Sequence, residues 1–272
     1  MTNYLVTGGT GRTGHRITDR LRAENHQVRV ASRTGSRPFD WNAPGTWDAQ
    51  LDGVHAAYLC YSPDLAFPGA AEIMGAFSAR ALSHGVQRLV LLSGRGEEGA
   101  EKAERQVLDS GVSAAVVRCA WFSQNFSESF LIGPLLRGRL ALPAGEVTEP
   151  FVDLDDVAEV ALHALTSPAI DGDIFELTGP DSLSFDQIAA QLGAATGRRI
   201  TFAPVTAAEF IQDMGRDGLA AEEAAPLADL FTEILDGRNE ATTDTISRVL
   251  GRPATTFADY ARRAAATGVW NG

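Results

Sequence analysis

Three glycines near the start of the chain, Gly8, Gly11 and Gly14, have the spacing of a loop that receives a phosphate. They lie in Leu5-Val6-Thr7-Gly8-Gly9-Thr10-Gly11-Arg12-Thr13-Gly14, between a strand-like apolar run and a helix-like segment. Each has a physical task there. Gly8 makes the tight turn off the strand, Gly11 lets backbone approach a pyrophosphate, and Gly14 lets the helix pack close to the sheet. The helix that follows aims free N–H groups and the positive end of its dipole at the phosphates. With Thr10, Arg12 and Thr13 in the same loop, the segment predicts a dinucleotide site. A purely structural glycine turn is the plainer alternative, and the strand–loop–helix setting argues against it.

The choice of dinucleotide turns on the end of the second strand. An Asp or Glu about 20 residues on would bind the ribose 2′-hydroxyl of NAD. Here the strand ends Val30-Ala31-Ser32-Arg33, with Arg33 19 residues beyond Gly14 and no carboxylate in its place. A guanidinium grips a 2′-phosphate by charge-assisted, bidentate hydrogen bonds. Arg33, with Ser32 beside it and added positive field from Arg12 and Arg37, therefore predicts NADP(H). Solvated surface arginines are the alternative, more natural for Arg37 than for Arg33.

Two further residues invite a reaction centre. Of 23 basic residues only Lys102 is a lysine. A compact ammonium on a flexible stem reaches ribose hydroxyls that a planar fork cannot, so Lys102 is expected beside the nicotinamide ribose. A surface helix lysine left by chance is the competing reading. Ser93 closes an apolar strand on the carboxyl side of the sheet, where open α/β sheets bind ligands; it either bonds substrate or nicotinamide, or caps the loop. Trp121, Phe122 and Asn125 follow the next strand on the same edge, and Tyr61 follows an earlier one. Aromatic walls there suit a flat apolar substrate, and membership of the core is the even alternative for each ring.

The elements that must position these groups follow from periodicity. Strand-like runs at residues 4–7, 27–31, 56–61, 88–93 and 114–120, with a short third strand at 38–41, alternate with helical segments at 14–24, 70–84 and 99–110. Gly85 and Gly111 stop two of those helices. The pattern is that of an α/β fold, a doubly wound Rossmann-type parallel sheet. Beyond about residue 125 the alternation ends. Residues 126–147 look loop-rich with one short helix; 155–165 and 184–196 read as helices, 174–177 and 199–204 as strands, and 206–214 and 218–236 as helices. We therefore expect a nucleotide-binding core over 1–125, with helix 155–165 and strand 174–177 packing back on it. Residues 126–272 form mainly a smaller substrate-side α/β cap.

Composition narrows the partners. A net charge of −12 argues against nucleic acid or anionic membrane as the main partner. No apolar run approaches the roughly 18–20 residues of a membrane span. Met1 leads almost directly into a strand, which predicts no signal peptide and a cytoplasmic protein. Cys60 and Cys119 sit in apolar runs and read as buried small hydrophobes, and the five histidines are scattered, so no metal is expected. A small-molecule substrate and a monomer or homodimer are the remaining expectations.

The chain resembles the NmrA-like branch of the atypical short-chain dehydrogenases/reductases. The resemblance is carried by Thr7–Gly14, Ser93-Gly94, Glu101-Lys102-Ala103-Glu104 and the run from Arg118 through Trp121-Phe122-Ser123-Gln124-Asn125 to Phe126. It continues in Phe175-Glu176-Leu177-Thr178-Gly179 and Leu250-Gly251-Arg252-Pro253. Within the branch it looks closest to NADPH-dependent quinone reductases and to ergot-alkaloid-type dehydrogenases, the latter through Phe39-Asp40-Trp41, Thr46-Trp47, Tyr58-Leu59 and Ser62-Pro63. The resemblance implies that the stretch at Trp121 flanks the nicotinamide. The common short-chain mechanism places Tyr four residues before Lys, but Glu98 holds that position here. The expected chemistry is hydride transfer from NADPH to a small, flat electrophile (a quinone, iminium or enone) without the usual Tyr donor. A non-catalytic NADP(H)-sensing regulator and a cofactor-assisted isomerase or cyclase are the alternatives.

Overall fold

Short apolar runs, buried along nearly their whole length, build a six-stranded parallel sheet in a computed structural model that describes residues 2–34, 37–167, 171–216 and 218–271. In chain order the elements are β1 (Asn3–Thr7), α1 (Arg12–Ala23), β2 (Gln27–Ala31), α2 (Asp48–Leu51), β3 (Ala56–Leu59), α3 (Ala70–Ser83), β4 (Arg88–Gly94), α4 (Glu98–Leu108) and β5 (Ser113–Cys119). Then come α5 (Ile132–Leu136), β6 (Arg139–Leu142), β7 (Thr148–Glu149), α6 (Leu154–Thr166), β8 (Ile174–Leu177), β9 (Leu183–Ser184), α7 (Phe185–Thr196) and β10 (Thr201–Pro204). The last are α8 (Ala207–Arg216), α9 (Ala221–Ile234), α10 (Thr245–Leu250) and α11 (Phe257–Ala266). Six strands pair in the order β2-β1-β3-β4-β5-β8, every pair parallel. The order runs outward from β1 in both directions, so the gap between β1 and β3 is the topological switch point.

Backbone contacts divide the chain into two compact units. The first comprises 1–119, 154–177 and 245–252; the second comprises 120–153, 178–244 and 253–272. In the first unit, period-two alternation turns Leu5, Ala57, Leu59, Leu89, Leu91, Ala114 and Val116 to one face, where Met74, Phe77 and Ala81 of α3 and Ala100, Ala103 and Val107 of α4 cover them. Arg20 of α1 donates to Asp155 of α6 at 2.9 Å, and Arg252 binds Asp156 and Glu159 of α6 at 2.8 Å each.

The short strand expected at 38–41 does not form; only an isolated bridge joins Ser32 to Pro38. Side chains have taken the place of a ladder. The Asp40 amide donates to Thr46 Oγ1 at 3.1 Å, and its carbonyl accepts from Trp47 Nε1 at 2.9 Å. Phe39, Trp41 and Trp47 turn inward against Phe77, with ring centres 5.0–6.0 Å apart. Backbone groups satisfied this way have no need of a neighbouring strand.

The second unit is held by rings. Phe126, Phe151, Phe185, Phe210, Phe257 and Tyr260 are buried in its core. Its backbone pairing is slight: β6 runs parallel to β10, and β7 antiparallel to β9. β6 lies inside the stretch expected to be loop-rich, because its partner is some sixty residues away and no local pattern announces it. Ser184 and Gln187 form a reciprocal capping box at the start of α7. No helix among the described residues is long and apolar enough to cross a membrane.

Candidate functional site

The loop between β1 and α1 is shaped by glycine at each turn. Gly8 has φ +60°, and the Gly11 amide donates to its carbonyl at 2.8 Å. A Cβ at Gly14 would overlap the Gly8 carbonyl oxygen and stand 2.6 Å from Gly9 Cα; one at Gly9 would stand 2.8 Å from Val30 Cγ1. The loop therefore folds back on itself more tightly than any side chain allows. Gly11 caps α1 without a side-chain acceptor, and the first turn carries no acidic residue. A positive dipole end without a side-chain cap or a nearby carboxylate fits a pyrophosphate. Thr13 is buried beneath the loop, Thr10 is exposed and Arg12 is half-buried.

At the end of β2, Ser32 is half-buried, while Arg33 and Arg37 are exposed. Arg37 reaches the Ala49 carbonyl at 3.3 Å, and Arg29 binds the carbonyls of Gln50 and Asp52. The Arg29 guanidinium is lowered from its ordinary value, first by burial and then by the nearby charge of Arg37. Arg33 makes no ion pair among the described residues. A dianionic phosphate would relieve this like-charge crowding.

Along the carboxyl edge, Tyr61 follows β3 half-buried, its ring 5.6 Å from that of Trp41. Burial and Asp40 raise its phenol above the ordinary range. Trp41 Nε1 in turn donates to the Cys60 carbonyl at 3.3 Å, which ties the 39–47 segment to this edge.

Ser93 is buried, and its hydroxyl donates to Glu104 Oε1 at 2.5 Å. The same carboxylate takes both Nε (2.9 Å) and Nη2 of Arg118. Across the sheet, Ser93, Arg118 and Glu176 share one register row, and Arg95 Nε meets Glu176 at 2.7 Å. The Ser93 proton is thus committed to a buried ionic row that clamps α4 to β4 and β5. Sequence reading missed that role: Glu104 has no distinguishing neighbour in the chain, and its partners arrive from another strand. Lys102, two residues away on α4, is exposed and pairs with Glu98 at 2.7 Å. This pair holds the Glu98 carboxyl below its ordinary range.

Trp121, Phe122 and Asn125 belong to the second unit and are each half-buried. The Val152 amide donates to the Trp121 carbonyl at 2.8 Å, and Ser123 returns a bond to Val152 at 2.9 Å. The Trp121 ring lies 4.7 Å from Phe231 of α9, which also meets Phe210 and half-buried Phe130. Phe130 and Phe231 are additions to the predicted aromatic wall. Phe130 lies in the stretch expected to be loop-rich, whereas Phe231 lies in the helix expected over 218–236, where it falls on the buried face with Ala224, Ala228 and Ile234. No cluster of metal-ligating side chains occurs among the described residues.

No family model matches the chain. Among curated proteins it is 32% identical to an uncharacterized oxidoreductase, YesF, of Bacillus subtilis, over 98% of this chain and 97% of that protein. It is 31% identical to agroclavine dehydrogenase of Claviceps fusiformis, over 94% and 95% of the two chains. The fold matches the NmrA negative transcriptional regulator in complex with NADP, with a TM-score of 0.71, 18% identity, and coverage of 100% and 99%. The chain belongs to the NmrA-like atypical short-chain dehydrogenases/reductases. The NADPH-dependent quinone oxidoreductase QOR2 of Escherichia coli, crystallised with NADPH, shares the fold with a TM-score of 0.81 at 22% identity, over 96% and 99% of the two chains. The NmrA-like chain described here therefore has a Rossmann-type α/β core and kinship with named reductases and dehydrogenases.

Proposed function

We propose that this NmrA-like chain is an NADPH-dependent oxidoreductase that passes hydride to a small, flat electrophile such as a quinone, an iminium ion or an enone. The observation that carries the reading is the pairing of an uncapped α1 N-terminus with a β2 end bearing Arg33 and Arg37 in place of a carboxylate. Gly8, Gly11 and Gly14 with Thr10, Arg12 and Thr13 would hold the pyrophosphate; Ser32, Arg33 and Arg37 would hold the 2′-phosphate. When bound, NADPH supplies the hydride, and the protein's work is orientation and exclusion of water. Lys102 is free to swing from Glu98 to a ribose, since an exposed i,i+4 pair holds it weakly.

The environments of three of the four tyrosines support a mechanism without the usual donor, while Tyr61, half-buried after β3, is assigned to the substrate pocket. Tyr4, Tyr58 and Tyr260 are buried, and Tyr260 gives its proton to Ser127 at 2.8 Å. Trp121, its ring tilted against that of Phe231 and only half-buried, supports a planar substrate. The test is NADPH oxidation against a panel of quinones, cyclic iminium ions and enones, beside calorimetric binding of NADPH and NADH. Turnover of at least one class with preference for NADPH is expected. Tight binding of both redox forms with no turnover on the panel would replace this reading with a cofactor-sensing regulator.

A further inference from the structure

The loop leaving β3 carries a carboxyl group that the reading above does not use. Asp64 follows Cys60, Tyr61, Ser62 and Pro63 on the carboxyl edge, next to the switch point between β1 and β3. Ligands of open α/β sheets bind outside that gap. Two close contacts fix the loop. At one end, the Cys60 amide donates to Thr7 Oγ1 at 2.8 Å, and a side chain at Gly8 would stand 3.4 Å from Cys60 Cβ. At the other, Ala66 packs so closely on α4 that a Cβ at Gly99 would overlap its carbonyl oxygen and lie 2.8 Å from its carbonyl carbon. Between these anchors Asp64 is half-buried. Its Oδ1 accepts the Ala66 amide at 2.8 Å, and its Oδ2 has no hydrogen-bond or ionic partner among the described residues.

We propose that Asp64 is a catalytic proton donor of this reductase, with Oδ1 held by the Ala66 amide and the proton carried by Oδ2 toward the substrate. The inference rests on the reductase reading. With an enone, hydride from the reduced nicotinamide forms a new C–H bond at the β-carbon. The displaced electron pair moves to the carbonyl oxygen, which takes the Asp64 proton as the carboxyl O–H bond breaks. The carboxylate then recovers a proton from water. An iminium ion needs only the hydride, since the electron pair on nitrogen leaves a neutral amine.

The surroundings suit a donor. Burial raises the Asp64 carboxyl above the ordinary aspartate range, and the Ala66 amide opposes this only in part. Cys60 and Tyr61 precede Asp64 on the same loop, and α4, against which Ala66 packs, begins at Glu98 and carries Lys102. Arg12 and Asp64 act in opposite senses on the Cys60 thiol, and Glu98 and Lys102 neutralise each other. A general acid of this kind contributes on the order of 10²–10⁴ in rate.

The test is Asp64→Asn, which keeps the volume and the acceptor for Ala66 but cannot serve as the acid. Turnover of an enone is expected to fall about 100-fold, while reduction of a cyclic N-alkyl iminium ion falls less than about threefold on the same principle. NADPH affinity by calorimetry should stay the same. The wild-type enone rate should fall as pH rises through the Asp64 pKa, and the variant should lose that limb. In the protein without cofactor, carbon-13 NMR should show the Asp64 carboxyl titrating above the ordinary aspartate range. Equal losses on both substrates, an unchanged enone rate, or an ordinary NMR midpoint would each overturn the assignment. If wild type reduces neither substrate, the reductase reading itself falls and the assignment with it; if wild type and variant reduce both alike, Asp64 alone is removed.

Discussion

The two units solve the problem of precise placement by different means. The first positions its groups with backbone: parallel strands, glycine contacts too close for any side chain, and one buried ionic row from Glu104 to Arg118 and Glu176. The second has short strands and relies on rings packed edge to face or tilted around Phe126, Phe151, Phe210 and Phe257. A cofactor with a constant shape suits the first device, because hydrogen-bonded backbone tolerates little adjustment. A variable substrate suits the second, because a packed ring can be exchanged for another apolar group at modest cost.

If that contrast is right, the largest effects should come from breaking each unit's own device. Glu104→Ala leaves the Arg118 guanidinium without its carboxylate in a mostly buried site and should cost about 3–5 kcal/mol, read by urea unfolding. Loss of less than about 1 kcal/mol would show that the row does not clamp α4. Phe231→Ala removes a buried ring that touches Trp121, Phe130 and Phe210, and should cost about 3–4 kcal/mol in the same measurement. Phe231→Leu should recover most of it, because volume is nearly conserved. The matching exchange in the first unit, Gly14→Ala, has no such tolerance: NADPH affinity should fall at least about 100-fold by calorimetry, since the backbone must part to admit the methyl group. If Gly14→Ala binds normally while Phe231→Leu fails, the contrast is reversed.

Smaller effects sharpen the comparison. Arg33→Asp should weaken NADPH by about 10- to 100-fold and leave NADH within about threefold, because only the 2′-phosphate distinguishes them. Lys102→Met should leave the thermal midpoint unchanged, because its partner Glu98 is fully exposed. The same variant should lower turnover if Lys102 meets the ribose. An unaltered turnover would return Lys102 to the status of a surface residue.

Legibility in the sequence was uneven for physical reasons. The glycine loop was readable because strand, glycines and helix are contiguous, and its shape depends on that order alone. The strand expected at 38–41 misled because Phe39 and Trp41 have the composition of a strand, yet Thr46 and Trp47 capture the Asp40 backbone. β6 was hidden because parallel pairing with β10 is a long-range event. Ser93 lies at the carboxyl end of its strand as read, one residue before β4 ends at Gly94, but its hydroxyl is directed to Glu104, eleven residues on and in another element.

The sequence by itself determined the doubly wound core, the glycine loop and the absence of a carboxylate after β2. These follow from local periodicity and from the steric freedom that only glycine has. Tertiary structure alone decided what each polar side chain faces. It set Ser93 against Glu104, placed Lys102 beside Glu98 and left Asp64 half-buried next to the switch point. Burial and the choice of partner are properties of elements brought together from distant parts of the chain, and no spacing within one segment encodes them.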